Sequence, residues 1–225
     1  MGETDWTKKL EEETGIRFRT TRPEKIERES FLMIQEELGE SFLASYPETQ
    51  LPVLLRVIHT TADFSYGESL VFANGAMEAA CRAIRRGLPI ITDTTMAGSG
   101  INKAAAGKFG CQVHCFIGDE DVEEEAKHRS MTRAAVSVEK AARLYPDCIY
   151  AVGNGPTALL RLYELIREHK IRPALIIGTP VGFVNVVEAK ELILQTEVPA
   201  IVARGRKGGS NVAAAICNAL FRTAG

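Results

Sequence analysis

The sequence lacks the patterns that identify secreted, disulfide-rich or membrane-spanning proteins. It has five cysteines but no CxxC pair, and an odd number of scattered cysteines is typical of reduced thiols. Its longest apolar runs, such as PALIIGTPVGF, are much shorter than the roughly 20 residues needed to cross a bilayer. The N-terminal sequence MGETDWTKKLEEETG is polar and contains no apolar region of a signal peptide. We therefore expect a cytoplasmic protein.

The sequence also lacks a large excess of charge and the glycine motifs of nucleotide-binding proteins. A formal net charge of −2 argues against a dedicated nucleic-acid-binding protein, so any cationic site must be local. Neither a complete GxGxxG motif nor the GxxxxGK[ST] order of a Walker A loop occurs. With 225 residues, of which 45% are hydrophobic, we expect a single domain over residues 1–225.

A metal site is the first reading of CQVHC, residues 111–115, but the spacing does not favour it. The segment is a predicted strand, in which Cys111 and Cys115 share a face with Val113 while His114 lies on the opposite face. Three ligands cannot converge on one ion from that arrangement. We therefore predict core thiols and no metal site.

What the sequence does contain is an alternation of short apolar runs and amphipathic segments. Runs that are apolar throughout predict strands covered on both faces, at 88–94, 111–118, 147–154, 174–179 and 199–205. Helical spacing predicts helices at 23–44 with a break at Gly39, 50–60, a helix capped by Asn74 that ends at Gly87, and helices at 121–144, 156–169, 186–195 and 209–223.

This order predicts the α/β class. Alternating strands and helices indicate a mainly parallel five-stranded sheet with right-handed crossovers, in a three-layer α/β/α sandwich of the flavodoxin-like type with additional N-terminal helices. We expect an N-terminal arm over 1–22, a helical segment over 23–73 that packs on the core, and an α/β core over 74–225.

Polar and glycine-rich segments follow the predicted strands, where ligands bind in open parallel sheets. The segment RGRKGGSN, residues 204–211, is called the cationic loop below. It carries three cations, Arg204, Arg206 and Lys207, directly before a predicted helix that begins near Ser210. Bare N–H groups at Gly208 and Gly209, the helix dipole and the cations together predict an anion site. A solvated turn is the alternative reading of the same residues.

A single histidine, His59, ends the apolar run of the helix predicted at 50–60. An isolated histidine at the edge of an apolar stripe is commonly a structural residue. Here, however, it lies near a helix C-terminus, where the dipole favours a cation, and it precedes the polar and aromatic segment TTADFSYG. A histidine that titrates near neutral pH can donate a proton without a catalytic triad. The residues alone leave both readings open.

Taken together, seven segments resemble the precorrin-8X methylmutase family of cobalamin biosynthesis. They occur in family order over roughly residues 23–220, and the blocks PVGFV and RGRKGGS are specific to the family. The segments are IERESFLMIQEEL, VIHTTADF, GLPIITDTTMAGSGI, TRAAVS, VGNGPTALLRLYEL, IIGTPVGFVNVVEAK and VARGRKGGSNVAAAICNAL.

The resemblance implies an isomerase that moves a methyl group from C-11 to C-12 of a corrinoid macrocycle, precorrin-8X or cobalt-precorrin-8. The product would be hydrogenobyrinic or cobyrinic acid. No cofactor, nucleic acid or membrane is implied, and homodimers with sites near the subunit interface are expected. His59 matches the family's catalytic histidine, which would protonate the macrocycle. Ser30, in ESF, matches a substrate-binding serine.

The implied substrate carries several carboxylates, for which a local cationic loop is suited. The glycine-rich turns predicted at 98–100, GSG, and at 153–155 would let the backbone approach the flat ring. The residues expected to bind substrate are Ser30, Thr95, Gly100, Arg133, Asn154, Arg204, Arg206, Lys207, Gly208, Gly209 and Ser210.

Two other functions are compatible with these features. A non-enzymatic corrinoid carrier could use the same pocket, and a flavodoxin-like nucleotide-binding enzyme could use the glycine-rich turns. The missing nucleotide fingerprints count against the second.

Overall fold

The computed structural model describes residues 6–225, without the side chains of Trp6 and Pro23. The chain divides into two compact units, of which the first ends at Ser45 and the second begins at Tyr46. The first five residues of the predicted arm lie outside the described part. The first unit contains helices α1 (Trp6–Thr14), α2 (Pro23–Leu38) and α3 (Glu40–Ser45). Gly39, at a φ of 80°, separates α2 from α3, as its position in the sequence predicted.

The second unit is built on one six-stranded sheet. Its strands are β1 (Leu70–Ala73), β2 (Ile90–Thr92), β3 (Val113–His114), β4 (Ile149–Val152), β5 (Leu175–Gly178) and β6 (Ala200–Ala203), in the order β1-β6-β5-β4-β2-β3. The five predicted strands are present and mutually parallel, which confirms the α/β class. The predicted number of five is wrong, because β1 joins the edge of the sheet antiparallel to β6.

The parallel part of the sheet has the strand order of the flavodoxin-like fold. Numbered among themselves, β2 to β6 follow the order 2-1-3-4-5, so the direction of winding changes between β2 and β4. β2, β4, β5 and β6 are buried along their whole length, as their apolar composition predicted.

Helices cover both faces of this sheet, which confirms the three-layer architecture. The helices of the second unit are α4 (Leu51–Thr61), α5 (Tyr66–Ser69), α6 (Ala76–Arg85), α7 (Thr95–Gly100), α8 (Lys103–Lys108), α9 (Glu120–His128), α10 (Arg133–Leu144), α11 (Pro156–Arg167), α12 (Val186–Leu194) and α13 (Ser210–Ala224). Helices α4, α6 and α7 pack against α13, and α10, α11 and α12 pack side by side. No helix in residues 6–225 is long and apolar enough to span a membrane.

Three details of the predicted helices are wrong. Asn74 does not cap α6: it adopts a φ of 55°, its side chain donates to the carbonyls of Thr196 and Val198, and Gly75 is the N-cap. The predicted helix 121–144 is two helices, since α9 ends at His128 and Thr132 caps α10. The GSG segment is not a turn, because it lies within α7.

Candidate functional site

The carboxyl ends of β2 and β4 are joined by a buried carboxylate that sequence reasoning missed. Asp93 follows β2, is 6% exposed, and accepts hydrogen bonds of 2.7–2.8 Å from the backbone N–H groups of Gly153, Asn154 and Gly155. Burial raises the pKa of the Asp93 carboxyl, and the three N–H bonds oppose that rise. The crevice at which flavodoxin-like folds bind their nucleotides is therefore bridged by the protein itself.

The N-terminus of α13, where the sequence predicted an anion site, packs against the same turn, and its contact with an anion stays a prediction. A Cβ atom on Gly153 would lie 2.6 Å from Cα and 2.8 Å from N of Ser210, so glycine is required for this approach. The Ser210 hydroxyl is 2.8 Å from the Thr94 hydroxyl, and the N–H of Gly209 donates to the carbonyl of Thr179. Gly208 also lies against the Thr179 carbonyl, where a Cβ atom has no room.

Two of the three predicted cations already contact carboxylates. Arg204 forms a two-point contact with Glu191, at 3.0 and 3.1 Å. Lys207 Nζ lies 2.6 Å from Asp63 Oδ2 and 2.8 Å from the Ser65 hydroxyl. Both cations are nevertheless exposed, and their contact with a ligand stays a prediction.

The third cation, Arg206, lies beside an exposed apolar loop. Its guanidinium is 5.5 Å from the ring centroid of Phe183, which is 81% exposed, and Val184 next to it is 75% exposed. A cation over an aromatic ring with open apolar neighbours suits a ligand that is both apolar and anionic.

Lys190, beneath the cationic loop, is a second residue, after Asp93, that the sequence did not reveal. Lys190, in α12, has no exposed surface, and its Nζ donates to the carbonyls of Gly205 and Lys207, each at 2.8 Å. Burial lowers the pKa of Lys190 to about 8. The only sequence signal was a lysine in place of an apolar residue on the inner face of a helix, which spacing alone does not distinguish from a surface position.

His59 is in the last turn of α4, whose other face is buried through Val53, Leu54 and Val57. The histidine itself is half-buried, and the helix ends at Ala62 in a left-handed conformation with a φ of 51°. The chain then reaches Asp63 and Ser65, which contact Lys207. The cationic loop is thus attached to the segment that directly follows His59.

A groove of about 380 Å³ runs beside the end of α4. It is lined by Arg56 and Thr60 of α4 and by Asn211, Asn218 and Arg222 of α13, with Gly100, Asn102, Ala105, Ala214 and Ala215 completing its walls. Thr60 is the neighbour of His59, and Asn211 follows the cationic loop. None of these lining residues is acidic, so the groove is suited to an anionic or polar group.

The remaining predicted residues occupy several positions. Thr95 is exposed at the start of α7, and Gly100 packs against α13, where a Cβ atom would lie 2.8 Å from that of Ala214. Asn154 is exposed in the turn held by Asp93, and Arg133 begins α10, 3.9 Å from Glu123. Their contacts with substrate stay predictions.

Ser30 belongs to the first unit. It lies in α2, is half-buried, and its hydroxyl donates to the Ile26 carbonyl at 2.8 Å. Its role in binding substrate also stays a prediction.

The cysteines form no disulfides. All five are free thiols, and Cys111, Cys148 and Cys217 are buried. Within residues 6–225 no group of three or more histidine, cysteine or acidic side chains is placed to hold a metal ion. His114 stacks on Tyr145, with 4.7 Å between ring centroids, and so packs at the edge strand β3.

The low pKa of Lys190 predicts an unusual pH dependence of stability. Between pH 8 and 10.5 the unfolded chain would bind more protons at this amine than the folded chain, so unfolding free energy should rise with pH. We expect the wild type to gain up to about 3 kcal/mol relative to Lys190→Met across this window. Urea titrations of both proteins at several pH values measure the difference, in which cysteine and tyrosine titrations cancel. A difference that is constant with pH would contradict the prediction.

The fold is that of an α/β protein of flavodoxin-like topology in which Asp93 bridges the switch point of the sheet. The precorrin-8X methylmutase family model matches residues 25–223. The chain therefore belongs to the precorrin-8X methylmutase family, which comprises isomerases of corrin biosynthesis.

Relatives and a solved structure agree with this assignment. The cobalt-precorrin-8 methylmutase of Priestia megaterium is 44% identical over 201 residues, covering 89% of this chain and 88% of that protein. The protein of the same name from Leptospira interrogans is 43% identical, covering 87% and 91%. The crystal structure of precorrin-8X methylmutase from Thermus thermophilus superposes with a TM-score of 0.81 at 41% identity, covering 89% and 96%.

Proposed function

We propose that this chain converts precorrin-8X or cobalt-precorrin-8 by moving a methyl group from C-11 to C-12 of the macrocycle, with His59 as the proton donor. The observation that carries the proposal is the attachment of the cationic loop to the segment after His59, through Lys207, Asp63 and Ser65. It supports a single site that combines an acid with contacts for anions.

The chemistry requires few groups. The reaction is an isomerisation, so nothing is added to the substrate and nothing leaves it. Protonation by His59 would make the macrocycle more electron-poor and ease migration of the methyl group, after which the proton returns to the imidazole. One acid therefore suffices, and no external nucleophile is needed.

The cations would bind the carboxylates at the rim of the macrocycle. Arg206 is the foremost candidate, because its guanidinium lies over an exposed ring rather than against a carboxylate. Each charge-assisted hydrogen bond would contribute about 1.5–3 kcal/mol. Arg204 and Lys207 would have to share their carboxylate partners with the substrate, so their contribution would be smaller. The groove beside Thr60 would accept a further polar substituent.

The nucleotide-binding alternative is disfavoured by the contacts at the switch point. Asp93 and the turn at 153–155 are hydrogen-bonded to each other across the switch point, the place where a flavodoxin-like protein binds its cofactor. A corrinoid carrier without activity remains the second candidate, because the same exposed cations and apolar side chains would also serve binding alone.

Incubation with each substrate tests the proposal. We expect the absorption spectrum of precorrin-8X, of cobalt-precorrin-8, or of both, to change to that of the rearranged product, with the mass unchanged. A spectrum that shifts once on binding and then stays constant would contradict the enzyme and favour the carrier. Comparison of the two rates decides whether the chain acts on the cobalt-containing substrate.

We also propose that the chain acts in the cytoplasm as a homodimer with its sites near the subunit interface. The loop that carries Val181, Phe183 and Val184 exposes large apolar side chains beside Arg206, and such clusters are commonly covered by a partner. We expect light scattering to give twice the 24.6 kDa mass of the chain. Replacement of Phe183 and Val184 by serine should shift this mass towards the monomer, and a wild-type monomer at micromolar concentration would contradict the proposal.

A further inference from the structure

The backbone of the cationic loop accepts hydrogen bonds at three consecutive carbonyls, two of them from the buried Lys190. Lys190 Nζ donates to the carbonyls of Gly205 and Lys207, each at 2.8 Å, and the N–H of Gly182 donates to that of Arg206 at 3.2 Å. Arg206 and Lys207 themselves are exposed. These three hydrogen bonds therefore determine where the backbone that carries the two cations lies.

The use of Lys190 to bind the loop backbone carries a free-energy cost. Its side chain is fully buried, and its ammonium group is bound by main-chain carbonyls rather than by a carboxylate. Burial of a charge without a counter-charge is unfavourable, and an apolar residue would fill the same space without that penalty. A lysine at this position is explained if its two hydrogen bonds restrain the loop backbone, which an apolar side chain cannot do.

The same backbone carries the contact to the segment after His59. The Lys207 carbonyl accepts from Lys190, while the Lys207 ammonium lies 2.6 Å from Asp63 and 2.8 Å from Ser65. A displacement of the Lys207 backbone would therefore change two things together: the direction of the loop cations and the attachment of the loop to residues 63–65.

We propose that Lys190 is a positioning residue of the site: by binding the carbonyls of Gly205 and Lys207, it fixes the loop so that Arg206 and Lys207 meet the carboxylates of the substrate. Lys190 does not touch the substrate, because no part of its side chain is exposed. This inference rests on the proposed function for the identity of the ligand, but not for the restraint of the loop.

Steady-state kinetics of Lys190→Met test the effect on substrate. Since Lys190 acts through binding groups and not through the acid, we expect KM to rise at least tenfold while kcat stays within threefold of the wild type. Lys190→Gln, whose carboxamide can still donate to a carbonyl, should lie between the two. If Lys190→Met does not fold, Lys190→Gln alone decides. A KM within twofold of the wild type in the folded variant would overturn the proposal.

A matched control separates positioning from a general loss of stability. Ile193 lies on the same helix and is fully buried, in the hydrophobic cluster that includes Val198 and Ala200. Ile193→Ala should lower the unfolding temperature and leave KM unchanged. If Ile193→Ala raises KM as much as Lys190→Met does, the effect comes from helix stability, and the positioning role is refuted.

Amide hydrogen exchange provides a readout that does not depend on turnover. In Lys190→Met the amides of Gly182 and Gly209, which donate to the carbonyls of Arg206 and Thr179, should exchange at least tenfold faster, while those of β4 keep wild-type rates. Unchanged exchange of these two amides would overturn the inference even if the enzyme were active. If the wild type converts neither substrate, the proposed function fails, and the exchange rates still decide whether Lys190 restrains the loop.

Discussion

Replacement of His59 by alanine is expected to lower turnover by roughly 10²–10⁴-fold, because the proposed reaction depends on one general acid. The change should leave the fold intact. The histidine is half-buried at the end of α4, whereas the residues that hold the helix in place are the fully buried Val53, Leu54 and Ile58. Rates measured from the absorption change, together with the thermal unfolding temperature, check both parts of the expectation.

His128→Ala is the matched control for this experiment. His128 is exposed in the last turn of α9, which packs against α10 on the face of the sheet opposite α4 and α13. It should keep wild-type turnover. If His59→Ala is folded and converts the substrate at more than a tenth of the wild-type rate, His59 is not the proton donor.

Replacement of Asp93 by alanine should have the largest effect on stability. The change leaves three backbone N–H groups, those of residues 153–155, without their acceptor, and two of them belong to the buried Gly153 and Gly155. Each unsatisfied donor costs about 1–3 kcal/mol, offset in part because the carboxylate no longer has to be buried. We expect the free energy of unfolding to fall by about 3 kcal/mol or more, measured by urea denaturation.

Asp147→Ala is the corresponding control for Asp93. Asp147 also accepts a short hydrogen bond, 2.7 Å from Arg86, but both side chains are well exposed. Exposed ion pairs contribute about 0–1 kcal/mol, so this variant should be nearly as stable as the wild type. Equal decreases in the free energy of unfolding of the two variants would show that the three N–H bonds to Asp93 stabilise the protein no more than an exposed ion pair does.

The strands that are apolar throughout could be predicted because they are buried on both faces. The runs at 149–152, 175–178 and 200–203 need no partner to be identified, since a continuous apolar composition of this length is typical of an interior parallel strand. The edge strand Leu70–Ala73 could not be predicted in this way, because three of its four residues are only partly buried and its pairing with β6 involves residues 130 positions away.

The candidate site divides in a similar manner. The cationic loop and His59 stand out in the sequence because three cations precede a glycine pair and because histidine is rare, with only four in the chain. Asp93 and Lys190 do not stand out, since their roles depend on carbonyl and N–H groups that are distant in sequence: residues 153–155 for Asp93 and residues 205 and 207 for Lys190.

By itself, then, the sequence determined the α/β class, the order of the elements, the family resemblance, the cations of the loop and His59, because these depend on local composition and spacing. Only the tertiary structure decided that Gly153 packs against Ser210, that the switch point is bridged by Asp93, and that Lys190 binds the loop from within. Each of these contacts joins segments dozens of residues apart or pairs a side chain with main-chain groups, and main-chain groups are the same at every position of a sequence.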